Sequence, residues 1–355
     1  MLCLIATAKY QDKIGVTLLF LAPILRGIFA SESIFMTTVQ AYIADCTAAA
    51  DRTVVFGRMM ASTMAGVCLV AVFYMGIVIN ALFGLYVTFF MPESVDLDHP
   101  PTSSCKVPNS KCGSDNSLWK KINIFSTLSI LFRSNSTRIS RYALPILAVI
   151  QFISAFIALP PVLLYAMLKF RWTAYEGGLF VSIAALSRLG IMMIVLPLLA
   201  KLFLKKSGDS ENDSRHMVSF DTLLLRTGVA INAFCLLTIG LATSSNTFTL
   251  GFVIQSLAIL AQPAIQSLIV ATVDPSEVGE LMSAVAVMDS VAVICGQFGL
   301  NAIYSATVAT VPSLVFFLCG GAALTSLFLA LFVHPVSRRT SEEEDLLGNS
   351  DIYAI

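Results

Sequence analysis

The chain is built from long apolar runs separated by short polar loops. The first long run, residues 14–44, would reach about 45 Å as a helix, enough to cross a hydrocarbon core of about 30 Å with some tilt. Six further runs follow in the second part of the chain, at residues 143–168, 177–202, 222–243, 248–273, 279–306 and 312–334. Runs of this length predict membrane-spanning helices.

The run at residues 57–91 is too long for one comfortable span and barely long enough for two. The loops on either side of it, 45–58 and 93–141, both carry Lys and Arg, which favours a cytoplasmic position for both. We therefore predict a compressed hairpin that turns around residues 70–74. Whether this run forms one span or two stays open.

Composition supports a membrane protein with several spans. Hydrophobic residues make up 57% of the chain and charged residues 12%, a balance that excludes an ordinary soluble globule. The formal net charge of zero gives no reason to expect a nucleic-acid partner. The three histidines are dispersed and no nucleophile or metal ligands cluster, so we expect no enzymatic activity, cofactor or metal site.

The polar segments divide the chain into four parts. Residues 1–92 would form a first transmembrane part, 142–335 a second with six helices, and 336–355 a disordered cytoplasmic tail. Residues 93–141 form a cytoplasmic linker in which aromatic residues and Lys at 118–132 are typical of a helix lying on the membrane surface. A loosely ordered linker is the alternative.

One junction resembles a known family. The segment AYIADCTAAADRTVVFGR, residues 41–58, resembles the junction of the fourth and fifth helices in the major facilitator superfamily, which often reads A-Y-x-A-D and then R-x-x-x-x-G. A shift of about 227 residues lays residues 269–284 on residues 42–57, with Ala44 on Ala271 and Arg52 on Gly279. The resemblance implies an all-α transmembrane bundle with two pseudo-symmetric halves. The chain would correspond to about helices 3 or 4 to 12, as an N-terminally truncated member with an incomplete first half.

The same resemblance implies a secondary transporter of a small molecule that works by alternating access, with protons as a candidate coupling ion. Symport and antiport both stay open. The alternative is a truncated membrane protein that does not transport and is either a regulatory partner or a fragmentary gene product.

Charged residues within the apolar runs are candidates for proton coupling, because an ionisable group at that depth faces the bundle interior by default. They are Arg26, Glu32, Arg188 and Asp289. Glu32 lies about 20 Å from the inner end of its helix, and Asp289 lies at similar depth in the second half. We expect one of these two carboxyls to exchange the coupling proton. The alternative is that each is held in a structural ion pair, Asp289 with Arg188.

Polar stripes mark candidate cavity-lining positions. Ser33, Thr37 and Gln40 lie within about 60° of Arg26 on a regular helix, and Gln255, Gln262 and Gln266 lie within about 40° of one another. By resemblance these stripes are on the fourth and tenth helices, which line the family's central cavity. Gln151, on the seventh, would be a further contributor. The alternative is that the glutamines hydrogen bond to neighbouring helices.

Two loops carry further candidates. Asp45 and Arg52 are predicted to form a charge pair that holds a closed cytoplasmic gate, with Gly57 permitting close helix approach. In the tail, Glu342, Leu346 and Leu347 resemble an acidic dileucine signal that a sorting adaptor would bind. We therefore expect an integral protein of the plasma membrane or of a vacuolar or endosomal membrane, with a cytoplasmic C-terminus.

Overall fold

A computed structural model describes residues 31–47, 51–69, 82, 85, 143–204, 213–273 and 277–333. In these ranges every regular element is a helix and no strand occurs, which confirms the predicted all-α class. The predicted linker, the tail with Glu342, Leu346 and Leu347, the turn at 70–74 and Arg26 lie outside the described residues. The four-part division of the chain stays a prediction.

Eleven α-helices follow in chain order within the described ranges. They are α1 Ser31–Cys46, α2 Arg52–Leu69, α3 Ala143–Phe156, α4 Val162–Phe170, α5 Ala174–Gly190, α6 Leu196–Leu204, α7 Asp213–Leu241, α8 Ser245–Gln255, α9 Ala261–Ala271, α10 Val278–Thr307 and α11 Leu314–Leu331. A π-helical segment, Ile191–Val195, joins α5 to α6, and a 3-10 segment, Ser256–Leu260, joins α8 to α9.

All six apolar runs of the second part are helical. Five helical stretches are long and apolar enough to cross a membrane, namely Tyr175–Phe203, Met217–Leu241, Ser245–Ala271, Val278–Thr307 and Leu314–Leu331. The remaining run is divided into α3 and α4, and Pro160 and Pro161 lie at the break. Proline has no N–H and clashes with the preceding turn, which explains why the helix stops there.

Two other prolines coincide with the irregular segments inside continuous spans. A proline leaves the carbonyl group four residues earlier without its helical partner. For Pro197 that residue is Met193, in the π segment, and for Pro263 it is Ile259, in the 3-10 segment. Both spans therefore bend or change their winding next to a proline, as helices in membrane bundles do.

The junctions on which the resemblance rests lie at one end of the bundle. Ala44 and Phe56, from the first junction, share one hydrophobic core with Ile269 and Leu281, from the second. After the 227-residue shift, the ends of α1 and α9 and the starts of α2 and α10 agree to within about two residues. We call this the inner end of the bundle, and the distribution of Lys and Arg predicts that it is cytoplasmic.

The opposite, outer end has its own core of aromatic side chains. Tyr165 of α4 is fully buried, and its ring contacts those of Phe248 and Phe316 at centroid distances of 5.6 and 4.8 Å. Lys169 donates hydrogen bonds to the Tyr165 hydroxyl at 2.6 Å and to the Ala242 carbonyl oxygen at 2.8 Å. Lys169 thus caps the carbonyl end of α7 and ties α4 to it.

Candidate functional site

The inner end contains a buried polar contact between distant parts of the chain, which we call the inner seam: Thr53, Asp221 and Ser267. The Thr53 hydroxyl of α2 donates to Oδ1 of Asp221 of α7 at 2.6 Å. Thr53 is 0% exposed and Asp221 3%. The buried side chain of Ser267 of α9 lies near the same carboxylate. A buried carboxylate needs such donors, because an unpartnered charge in an apolar core is costly.

The seam is positioned by how α1 passes into α2. Arg52 begins α2 and donates from Nη2 to the Ala44 carbonyl oxygen near the end of α1, at 3.2 Å. Carbonyl groups at a helix end lack intrahelical partners and attract a cation. Arg52 also lies near enough to Asp221 to act on its charge. Asp45 has an exposed side chain, and its charge pair with Arg52 stays a prediction.

Gly57 of α2 packs against Leu196 of α6. A Cβ atom added at Gly57 would overlap Leu196 Cδ2 and come within 3.9 Å of Met192 Sδ. The absent side chain therefore permits the close helix contact that the sequence led us to expect at this glycine. The role of Gly57 in a gate stays a prediction.

At mid-depth, a second polar contact joins α3 to α10. Gln151, 4% exposed, donates from Nε2 to Oδ2 of Asp289 at 2.9 Å. The other oxygen atoms of both side chains, Asp289 Oδ1 and Gln151 Oε1, are buried and have no hydrogen-bond partner among the described residues. Arg188, on α5, is half-buried and forms no ion pair with Asp289 in this part of the chain. The structural ion pair considered as an alternative for Asp289 is thus replaced by the contact with Gln151.

The other glutamines do not form one stripe. Gln255 donates to Oδ1 of Asn232 on α7 at 2.9 Å, a contact between helices. Gln266 is 3% exposed with an unpartnered Oε1, and Gln262 is half-buried. The prediction that these three glutamines lie within about 40° of one another assumed a regular α-helix. Each residue of the 3-10 segment turns the chain by about 20° more than a residue of an α-helix does. Gln255, which precedes the segment, is therefore rotated away from the other two glutamines.

The remaining candidates lie on α1. Thr37 and Gln40 have half-buried side chains, whereas Glu32 and Ser33 belong to α1 with side chains outside the described set. Among the residues whose positions are described, no three His, Cys, Asp or Glu side chains are grouped closely enough to hold a metal ion. The candidate site residues that the structure describes therefore offer hydroxyls, amides and single charged groups.

Sequence reasoning missed Asp221 and Thr53. We started the span at residue 222 and took the preceding residues as loop, but α7 begins at Asp213, so Asp221 lies well inside a helix. The signal was available in Met217 and Phe220, which continue the apolar pattern before Asp221 and are buried. An acidic residue among apolar neighbours is the pattern that marks a buried functional charge.

Two curated proteins are similar to this chain in sequence. The chain is 20% identical to the MFS-type transporter avaJ of Aspergillus versicolor over 350 residues, which cover 93% of this chain and 67% of that protein. It is 22% identical to the uncharacterized membrane protein YJL163C of Saccharomyces cerevisiae over 179 residues, covering 49% of this chain and 31% of the yeast protein. No protein-family model matches the sequence.

Among solved structures, the human organic anion transporter MFSD10 (TETRAN) superposes with a TM-score of 0.68 at 15% identity, covering 93% of this chain and 75% of that chain. The class is therefore that of integral membrane proteins with several spans and a transporter fold. In particular, the chain has the fold of the major facilitator superfamily, which confirms the resemblance seen at the junction of α1 and α2.

Proposed function

We propose that this chain is a secondary transporter that moves a small molecule across a membrane by alternating access. The observation that carries the proposal is the hydrogen bond from Thr53 to Asp221, which joins residues 168 positions apart at the inner end of the bundle. The transporter fold and the relatives named as transporters support the same conclusion.

The inner seam has the properties of a latch. The Thr53–Asp221 hydrogen bond lies within an apolar core, because Phe56 and Leu281 are fully buried at the same end. A hydrogen bond to a charged group contributes about 1.5–3 kcal/mol, enough to bias an opening equilibrium by tenfold or more without preventing it. Breaking the contact while the apolar core separates would open the inner end.

Polar groups at mid-depth then supply the binding region that a carrier needs. Asp289 and Gln151 have buried oxygen atoms without donors among the described residues, and Gln266, beside Ser267 of the inner seam, has another nearer the inner end. Asp289 and Glu32 remain our candidates for exchanging a coupling proton, and symport and antiport are both compatible with them. Residence in the plasma membrane or in a vacuolar or endosomal membrane, with a sorting adaptor at the tail, also stays a prediction.

The test changes Thr53 to Val, which keeps the shape of the side chain and removes its donor. Thr63→Val is the matched control, because Thr63 lies on the same helix and its hydroxyl bonds only within it, to the Met59 carbonyl oxygen. Opening is measured as maleimide labelling of a cysteine introduced at Leu281, in a background without exposed native cysteines. Transport is measured in proteoliposomes with a metabolite panel.

We expect Thr53→Val to raise labelling at position 281 about tenfold and to change the transport rate at normal abundance, while Thr63→Val behaves like wild type. Equal labelling in the two variants would show that the inner seam is not a latch. A folded wild-type protein that moves no compound of the panel would favour the alternative of a regulatory partner that does not transport.

A further inference from the structure

The contact between Gln151 and Asp289 lies inside an apolar interface between α3 and α10. One turn nearer the inner end, Leu147 of α3 and Val285 of α10 are buried in one hydrophobic core. Two turns nearer the outer end, Gly296 of α10 lies against the backbone at the end of α3. The two polar side chains are therefore enclosed by apolar packing on both sides along the helices.

The contact has one hydrogen bond and two oxygen atoms without a donor. Gln151 donates from Nε2 to Oδ2 of Asp289 at 2.9 Å. Asp289 Oδ1 and Gln151 Oε1 are buried and have no hydrogen-bond partner among the described residues. An ionised Asp289 would thus carry its charge in an apolar interface with a single donor, which is unfavourable.

One proton on Asp289 satisfies both oxygen atoms. Oδ1 and Oε1 are each bonded to the same carbon atom as one end of the existing hydrogen bond, so the carboxyl and amide groups can pair side by side. A hydroxyl at Oδ1 then donates to Oε1, while Oδ2 still accepts from Nε2. The resulting pair of an acid and an amide is neutral, as an apolar interface favours.

The neighbouring helices supply no cation in place of the proton. α10 packs mainly against α1, α3 and α11, and none of these four helices contains Lys, Arg or His. The acidic residues of α1 are Glu32, at the start far from the inner end, and Asp45, exposed at the inner end. α10 itself has Glu280 at its exposed inner start. The remaining titratable side chains on these helices are thiols and phenols: Tyr42, Cys46, Cys295, Tyr304 and Cys319.

We propose that Asp289 carries a bound proton in this structure, paired as an acid with the amide of Gln151, and that this proton is released during the transport cycle. Only the release rests on the proposed function. When the proton passes from Oδ1 to water, the carboxylate becomes anionic and its bond to Oε1 is lost. Asp289 is half-buried as a residue whereas Gln151 is 4% exposed, so the Asp289 side chain is the one that moves to become hydrated. Gln151 is a positioning residue that holds the neutral acid in the interface.

Infrared spectroscopy tests the bound proton without any substrate. A protonated carboxyl group gives a carbonyl band separate from those of carboxylate and amide groups. Spectra of the purified full-length protein in lipid are recorded in D2O at neutral pH. The variants are Asp289→Asn, Gln151→Met and the control Glu280→Gln, which removes an exposed carboxylate from the same helix. Elution volume and melting temperature report whether each variant is folded.

We expect wild type and Glu280→Gln to share an acid band that Asp289→Asn lacks. In Gln151→Met the band should move to higher frequency, because the carbonyl oxygen loses its N–H donor and the hydroxyl loses its acceptor. This shift tests the positioning role and decides the question even if Asp289→Asn does not fold. Identical acid bands in wild type and Asp289→Asn, as an ionised Asp289 held by water would give, would overturn the inference. An unchanged band in Gln151→Met would do the same.

Proton release is measured in proteoliposomes with the pH indicator pyranine trapped inside, to which the metabolite panel is added. We expect wild type to move protons together with a compound of the panel. Asp289→Asn should lose this proton movement and still exchange the same compound at equal pH on both sides. Proton movement that persists in Asp289→Asn would overturn the release step.

The two measurements separate this inference from the proposed function. An acid band that depends on Asp289, in a protein that moves no compound of the panel, would support the bound proton and contradict transport. Uptake of a panel compound by wild type without proton movement would support transport and contradict the release of the proton.

Discussion

Among the glycines that the structure describes, Gly296 of α10 lies closest to the backbone of another helix. Changing it to alanine tests the packing at the break between α3 and α4. A Cβ atom at this position would overlap the Phe156 carbonyl oxygen and lie 2.9 Å from its carbonyl carbon and 3.1 Å from its Cα. Next to it, Gln297 donates to the Leu159 carbonyl oxygen at 3.0 Å, inside the break. The alanine therefore meets backbone atoms that no rotamer change can move.

The size of the effect follows from this geometry. To reach ordinary van der Waals separation, α10 and the end of α3 must move apart by about 1 Å, and overpacking of this kind costs about 1–3 kcal/mol. The gain in helix propensity from glycine to alanine is at most about 1 kcal/mol. The same gain in helix propensity applies to Gly279, in the same helix, where an added Cβ meets nothing within 4 Å. We expect Gly296→Ala to be about 1–3 kcal/mol less stable than Gly279→Ala.

Reversible unfolding of the purified protein by titration with SDS in mixed micelles measures this difference. Wild type, Gly296→Ala and Gly279→Ala are compared at one protein concentration, with helix content followed by circular dichroism. Equal free energies of unfolding for the two variants would refute the reasoning, because then α10 would not be held against the Phe156 backbone as described.

Two further predictions concern helix ends and helix contacts. Arg226 donates to the carbonyl oxygens of Ala330, Leu331 and Val333 at 3.1, 3.1 and 2.8 Å. Arg226→Met should therefore lower the free energy of unfolding by about 2–3 kcal/mol, and Arg226→Lys by less. Equal losses in the two variants would contradict a capping role. At Gly57 the added Cβ overlaps only the end of the flexible Leu196 side chain, so Gly57→Ala should cost about 1 kcal/mol. The double variant with Leu196→Ala should be less destabilised than the sum of the single variants. Simple additivity would show that the two residues do not touch.

The spans were predictable because the bilayer imposes a length on apolar runs. The prediction at 312–334 corresponds to α11, Leu314–Leu331, and that at 248–273 to the stretch Ser245–Ala271. The start of α7 was not predictable in the same way. Hydropathy reports where the membrane begins, whereas a helix continues through charged residues outside it, as α7 does from Asp213.

The sequence predicted polar residues of the site where the pattern within a single helix marks them, but not the contacts between helices. Gln151 and Asp289 were recognisable as polar residues within apolar runs, but their mutual hydrogen bond depends on how α3 packs against α10. The contact of Thr53 with Asp221 spans 168 residues and leaves no local pattern at Thr53. The rotation of Gln255 away from its presumed stripe required the 3-10 segment, which the nearby Pro263 indicates without fixing its length.

The π segment Ile191–Val195 has a consequence for anyone comparing this span with a regular helix. A π turn holds one more residue than an α turn, so side chains beyond it are offset by about 100° from the register that Arg188 sets. Equivalences drawn with an uninterrupted helix hold for only one side of the insertion at a time. In a homologue that lacks the inserted residue, the side chains after this point would be rotated, and different residues of an otherwise equivalent sequence would face Gly57. The effect of a mutation in that homologue would therefore not transfer to the aligned position in this chain.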